Sequence, residues 1–269
     1  MYNQVNANII ALGDRAIPHL QDAFEICKNE IEKERISKIL NKLKIESLEE
    51  SLNAWANDHT DNLLNGLIAI ARYGNPILNE GELESLINEI IDELKPIIKD
   101  ETPEEIVHLL NQVILYDHGF NGNIRNYSSI NNSFIDRVFQ DKVSNPIGLS
   151  AIYLIVAEAL NIPLIGINSP GHFVLGYVDR DYSRENLEDG SVIENVEFYV
   201  DPFNNGKIIQ TDNFDHWLKE IPFDLNEKQY LPATNVDIVR RVMNNLIHSI
   251  FTSGEKETAK QLLRINENI

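Results

Sequence analysis

The sequence predicts an α+β fold, and three observations predict it. Apolar residues recur at helical intervals through the first hundred residues, and the stretch from Ile147 to Leu160 is apolar almost all round. Short strand-like runs follow that stretch before the chain closes with two amphipathic helices. A helix with no polar face belongs inside a core, and the strands after it give it a sheet to pack on. At 269 residues and 43% hydrophobic, the chain can form one large domain or two smaller ones.

The amino-terminal part reads as helices. Ile9, Ile10, Leu12, Ile17, Leu20 and Phe24 keep helical spacing around a break at Gly13 and Pro18. Ile31, Ile36, Ile39, Leu40 and Leu43 continue the pattern, with charges opposite. Ser47-Leu-Glu-Glu50 has the form of a capping box and is expected to open a new helix through Leu52 and Trp55. Leu63 to Ile70 predicts a helix ending near Gly74-Asn-Pro76, and Leu83 to Leu94 another, halted by Pro96. The segment from Ala11 to Leu20 resembles half of a helical-repeat unit, without a second clear copy.

Thr102-Pro-Glu-Glu105 marks a helix start, with Thr102 as cap, Pro103 in the first turn and Glu105 completing the box. That helix runs through Ile114. Gly119 to Ser133 is rich in Gly, Asn and Ser and reads as a loop, followed by a short helix around Phe134 to Phe139. Pro146 then opens the apolar helix, with Ser144 or Asn145 as candidate cap, Ser144 favoured over a role as nucleophile. The strand-like runs are Leu164–Ile167, His172–Val178, Val196–Val200 and Lys207–Ile209. Val236–Phe251 and Lys256–Ile265 make the closing helical pair, turning at Thr252-Ser-Gly254. The acidic stretch from Asp179 to Glu194 reads as a solvated loop, with a lid over the His172/Asp201 site as the competing reading.

A formal net charge of −19 argues against electrostatic binding to nucleic acid or an anionic membrane. The start lacks the basic run and apolar core of a signal peptide, and no apolar stretch spans a bilayer, so a cytoplasmic location is expected. A single cysteine excludes an intramolecular disulfide framework. His19, His59, His108, His216 and His248 show no metal-site spacing, and no phosphate-binding glycine loop appears, so neither metal nor cofactor is expected. His118 is expected at a helix C-terminus, Cys27 as a small core filler, and Trp55 and Trp217 in the core or an interface.

The chemistry-bearing pattern is a histidine opening one apolar run and an aspartate closing another. Strand pairing would bring His172 and Asp201 together, which is two-thirds of a nucleophilic triad. The N-terminus of a buried helix gathers free N–H groups and partial positive charge, a place for a thiolate or an oxyanion. This is the layout of transglutaminase-like and papain-like cysteine enzymes, in which a cysteine opens that helix. Here Cys27 lies far upstream.

Asn111, Gly119-Phe-Asn-Gly-Asn123, Tyr127, Asn132-Ser133, Asn145-Pro-Ile-Gly-Leu-Ser150, Tyr153, Pro170-Gly-His-Phe173, Asp201-Pro-Phe203 and Gly206 occur in that order. Together they resemble the SirB/YchA-type family of transglutaminase-like proteins. The resemblance implies a transglutaminase-like (papain-like) core of a buried helix on an antiparallel sheet over 101–233 and a tetratricopeptide-like helical hairpin over 234–269, after the helical region that the spacing gives over 1–100. It also puts the nucleophile's place near Pro146 or Ile147, neither of which can attack.

Two functional readings follow, beside a third in which the His/Asp pair is scaffolding. One is a binding or regulatory module retaining His172 and Asp201, with Asn132, Ser133, Ser144 and Asn145 as candidate binding residues and a protein or peptide as partner. The other is a hydrolase or acyltransferase in which His172 and Asp201 activate a serine or a water. For Asn132, Ser133 and Asn145 the competing role is bonding to the loop's own backbone. Ser144 and Ser150 are the substitute nucleophiles weighed, with capping and packing as their simpler roles.

Overall fold

The computed structural model describes residues 2–169, 171–179, 195–220 and 231–269. Its first part is helical: α1 (Tyr2–Ile10), a short 3-10 turn, α2 (Ile17–Ile26), α3 (Glu30–Asp58), α4 (Leu63–Gly74) and α5 (Glu80–Leu94). Asparagines start three of these helices. Asn29 Oδ1 accepts from the N–H groups of Ile31 and Glu32, Asn62 Oδ1 from Asn65 and Asn79 Oδ1 from Glu82. Each satisfies amides that have no partner within the helix.

Ser47 does not start a helix, contrary to the sequence reading. It lies inside α3, a continuous 29-residue helix. No glycine or proline interrupts the chain between Glu30 and Ser47, and the Ser47 hydroxyl donates to Asp14 Oδ2 at 2.9 Å instead of capping. Cys27 is also not a core filler. It caps the end of α2, half-buried, with its thiol 3.5 Å from Asn29 O.

The box at Thr102 and Glu105 forms as expected and opens α6 (Pro103–Asn111). The helical run then continues as a π turn, Gln112–Asp117, which buries Val113, Ile114 and Leu115 together. Beyond the loop come α7 (Ile135–Asp141) and α8 (Pro146–Ala159). Two short strands, β1 (Asn121–Gly122) and β2 (Val143–Ser144), pair in parallel just before α8. Every side chain of α8 from Pro146 to Ala157 is buried.

The main sheet has the order β6-β5-β4-β3-β7 and is antiparallel throughout. Its strands are β3 (Leu164–Ser169), β4 (His172–Val178), β5 (Val196–Asp201), β6 (Lys207–Gln210) and β7 (Leu231–Ala233). The sequence pattern marks the first four; β7 is too short to show. Phe173, Leu175 and Tyr177 of β4 and Phe198 and Val200 of β5 join the core around α8. Helix α9 (Thr211–Glu220) lays Phe214 on Tyr199 with ring centroids 3.5 Å apart.

The closing helices are α10 (Asn235–Thr252) and α11 (Lys256–Asn268). Thr234 and Asp237 form a capping box for α10, and Gly254, at φ +100, makes the turn. The pair docks on α3, α4 and α8. One apolar core runs from Ile45 to Ile265 and draws on the early helices, α8, the sheet and the hairpin. A smaller cluster of Ala16, Ile17, Leu20, Ile39 and Leu43 joins α2 to α3.

Helices α3, α4 and α10 meet at Gly66, where an added Cβ would lie 2.7 Å from Val239 Cγ2 and 2.8 Å from Trp55 Cε2. Gly66→Ala therefore lowers stability by about 1–3 kcal/mol despite the better helix propensity of alanine. The urea midpoint should fall at constant m, and adding Val239→Ala should recover part of the loss.

Candidate functional site

His172 stands where the β3–β4 hairpin ends. Ser169 pairs directly with His172, and Gly171 adopts φ +71, which suits a tight turn that only glycine enters freely. Pro170 lies outside the described residues. Asp201 stands at the end of β5, where Pro202 lacks the N–H that would extend the ladder. The chain turns there through a 3-10 segment, Pro202–Asn204.

The two side chains meet, with His172 Nε2 at 2.9 Å from Asp201 Oδ2. Asp201 is 0% exposed, and its carboxylate also accepts from the backbone N–H and the Nδ2 of Asn204, at 3.3 and 2.6 Å. A carboxylate stripped of water is tolerable only with such partners. The His172 side chain keeps 12% exposure.

Aromatic rings link this pair to the rest of the motif. Phe203 meets His172 edge-on at 6.1 Å and Tyr127 at 5.8 Å. The Tyr127 hydroxyl donates to Gly171 O at 3.1 Å. Phe203 also packs on Gly122, where an added Cβ would sit 2.9 Å from its ring. Gly122 pairs with Ser144, which leads directly into α8.

Of the other residues expected at the site, Asn132, Ser144 and Asn145 turn polar atoms toward backbone. Asn132, 2% exposed, donates to Asn126 O and Tyr127 O and accepts from Asn123 Nδ2. Ser144 does not cap α8. Its hydroxyl donates to Asn132 O at 3.1 Å, and Asn145 is the cap, accepting from Gly148 N at 3.1 Å. Ser133 and Ser150 are buried, and their hydroxyls have no hydrogen-bond partner among the described residues. His118 caps the π turn and lies 3.3 Å from Glu93 Oε2. Trp55 is core, its indole donating to Asn62 O, whereas the side chain of Trp217 and residues 180–194, with the lid question, lie outside the described residues.

This arrangement changes the chemistry of the α8 N-terminus. Pro146 occupies the first helical position and has no N–H, while Asn145 takes the N–H of Gly148. The free-donor cluster expected for an oxyanion is thus largely used up within the chain. Among the described residues no cluster of three or more His, Cys, Asp or Glu side chains can hold a metal ion.

Sequence reasoning passed over Asn204 and Arg241. Asn204 follows Asp201 by three residues, the spacing of a local side-chain to backbone turn, which is a readable signal. Arg241 looks like any charge on an amphipathic helix. Its Nη1 donates to Asn168 Oδ1 and its Nη2 to Ser169 O, on the hairpin that carries His172.

A buried bridge supports the whole site. Asn111 Nδ2 donates to Gly206 O at 2.8 Å and Asn111 Oδ1 accepts from the Tyr153 hydroxyl at 2.8 Å. Burial first, and Tyr116 second, hold the Tyr153 phenol well above its ordinary value of 10. The folded state therefore keeps this proton where the unfolded chain loses it. That contribution to stability is intact below pH 10 and is lost as pH rises above it. Denaturation at stepped alkaline pH should show wild type losing stability more steeply than Tyr153→Phe.

A family profile described as "Transglutaminase-like superfamily" matches residues 81–244. A UPF0162 protein from Xylella fastidiosa is 28% identical over 210 residues, covering 76% of this chain and 69% of its own. UPF0162 protein YchA from Escherichia coli K12 is 26% identical over 196 residues, 68% of this chain and 64% of its own. F-box only protein 21 from Mus musculus is 23% identical over 256 residues, covering 84% of this chain but 39% of that longer one. No solved structure gives a significant match. No helix among the described residues is long and apolar enough to cross a membrane. With the ordered motif, the His172–Asp201 contact and the profile match in agreement, the chain belongs to the transglutaminase-like superfamily, in its YchA/SirB-type group.

Proposed function

We propose that this chain is a non-catalytic binding or regulatory module built on a transglutaminase-like fold. One observation carries the reading: the helix start, where the family resemblance puts the nucleophile, holds Pro146 and Ile147 behind the Asn145 cap, so the place offers neither a thiol nor a full set of free amides. The lone cysteine supports it, since Cys27 sits at the end of α2 and belongs to a different part of the fold. Ser144 and Ser150 are both 0% exposed, which speaks against either as a substitute nucleophile. Resemblance to part of a longer F-box protein suits a module that works through protein contacts.

The intact His–Asp geometry favours a second reading, a hydrolase or acyltransferase acting through water. With Nε2 held by Asp201, base catalysis would run through Nδ1. One assay separates the two. Wild type and His172→Ala are compared for ammonia release from a glutaminyl peptide with a primary amine, and for cleavage of a p-nitrophenyl ester. Both proteins should stay at the buffer rate. Turnover by wild type that His172→Ala abolishes, with the melting temperature unchanged, would establish the enzyme reading instead.

A further inference from the structure

Arg241 lies in α10 and reaches the hairpin beside His172. Its two hydrogen-bond acceptors among the described residues, Asn168 Oδ1 at 3.0 Å and Ser169 O at 3.3 Å, are both neutral. Among the described residues no carboxylate forms an ion pair with it. The guanidinium is partly buried, and burial disfavours its charged form, which the nearby Tyr127 phenol partly offsets. An arginine cannot shed its proton in compensation. A half-desolvated cation without a counter-charge is costly, and an incoming anion would complete it.

Two more observations mark the same spot. Ser169 is 1% exposed, and its hydroxyl has no hydrogen-bond partner among the described residues, next to the carbonyl that Arg241 holds. Tyr127 is 45% exposed, and Ile124 and Ile130 of the same loop are 77% and 38% exposed. Tyr127, which interacts with the guanidinium, therefore belongs to a loop with an exposed apolar surface. With a net charge of −19 on the whole chain, a polyanion is repelled, whereas an isolated carboxylate suits one guanidinium fork.

We propose that Arg241 is the carboxylate-recognition point of a peptide-binding site beside His172 and Asp201, with Tyr127 and its loop receiving an adjacent apolar side chain. This deepens the binding-module reading and rests on it. The occupant is a peptide segment bearing one carboxylate, either at a chain end or on an acidic side chain.

The test is an NMR titration of isotope-labelled full chain, following the Arg241 Nε–Hε resonance. N-acetyl-leucine supplies a chain-end carboxylate, acetyl-Leu-Glu-amide a side-chain carboxylate, and N-acetyl-leucinamide none. At least one acid should shift the Arg241 signal saturably while the amide does not, and the tighter acid names the source. Arg241→Gln should weaken that binding by about tenfold or more, the loss expected for a charged hydrogen bond, and Arg241→Lys should recover it only in part. If the Gln variant fails to fold, the acid-against-amide comparison on wild type decides. Equal shifts by acid and amide, or no shift by either acid, overturn the proposal. The turnover assay is independent: catalysis would remove the non-catalytic reading while leaving carboxylate binding at Arg241 standing, and an empty titration would do the reverse.

Discussion

Helix α8 buries every side chain from Pro146 to Ala157, and that constraint organises the molecule. A helix with no face for water must be covered on all sides. The sheet covers it through Phe173, Leu175 and Tyr177, helices α4 and α5 cover it elsewhere, and α10 closes over it. Fully buried aliphatic side chains contribute about 1.5–3 kcal/mol each. Leu149 and Val156 of α8, Leu52 of α3 and Leu246 of α10 are all 0% exposed and share this core. The early helices and the closing hairpin thus pack into the same apolar interior as the sheet.

The same burial fixes the site. Because α8 is rigidly enclosed, its N-terminus is a fixed point, and the loop before it is sewn down by Asn132, Asn123 and Ser144. Phe203 then carries that fixed point across to His172 through Gly122. The motif residues hold one another: Asn111 holds Gly206, Tyr153 holds Asn111, and Tyr127 holds the hairpin turn. Most of them support the shape of the site, and few remain to touch a ligand. His172, Tyr127 and Arg241 keep some exposure, which is why function is sought there.

Much of this was legible because local chemistry dictates it. Thr102 with Glu105, Pro146 at a helix start and the apolar alternation of β4 each leave a direct mark on the chain. Errors arose where a local signal had a distant competitor. Ser47-Leu-Glu-Glu50 satisfies a capping pattern, yet the hydroxyl finds Asp14 and the helix runs on. Ser144 and Asn145 are both good caps, and Asn132 O claims Ser144. The π turn after Asn111 follows from burying three consecutive apolar residues, which a regular helix would not turn to one side.

The sequence by itself determined the buried helix, four strands of the main sheet and the closing helical pair, with His172 and Asp201 at strand ends, because periodicity and turn chemistry are local properties. Only the tertiary structure decided what the helix N-terminus offers. Whether Asn145 caps Gly148, and whether Ser144 is exposed or buried, depends on groups far apart in the chain that packing brings together. It also decided the place of Arg241, which α10 sets against a hairpin some seventy residues upstream. A charge on a helix surface carries no mark of its neighbours until the helix is docked.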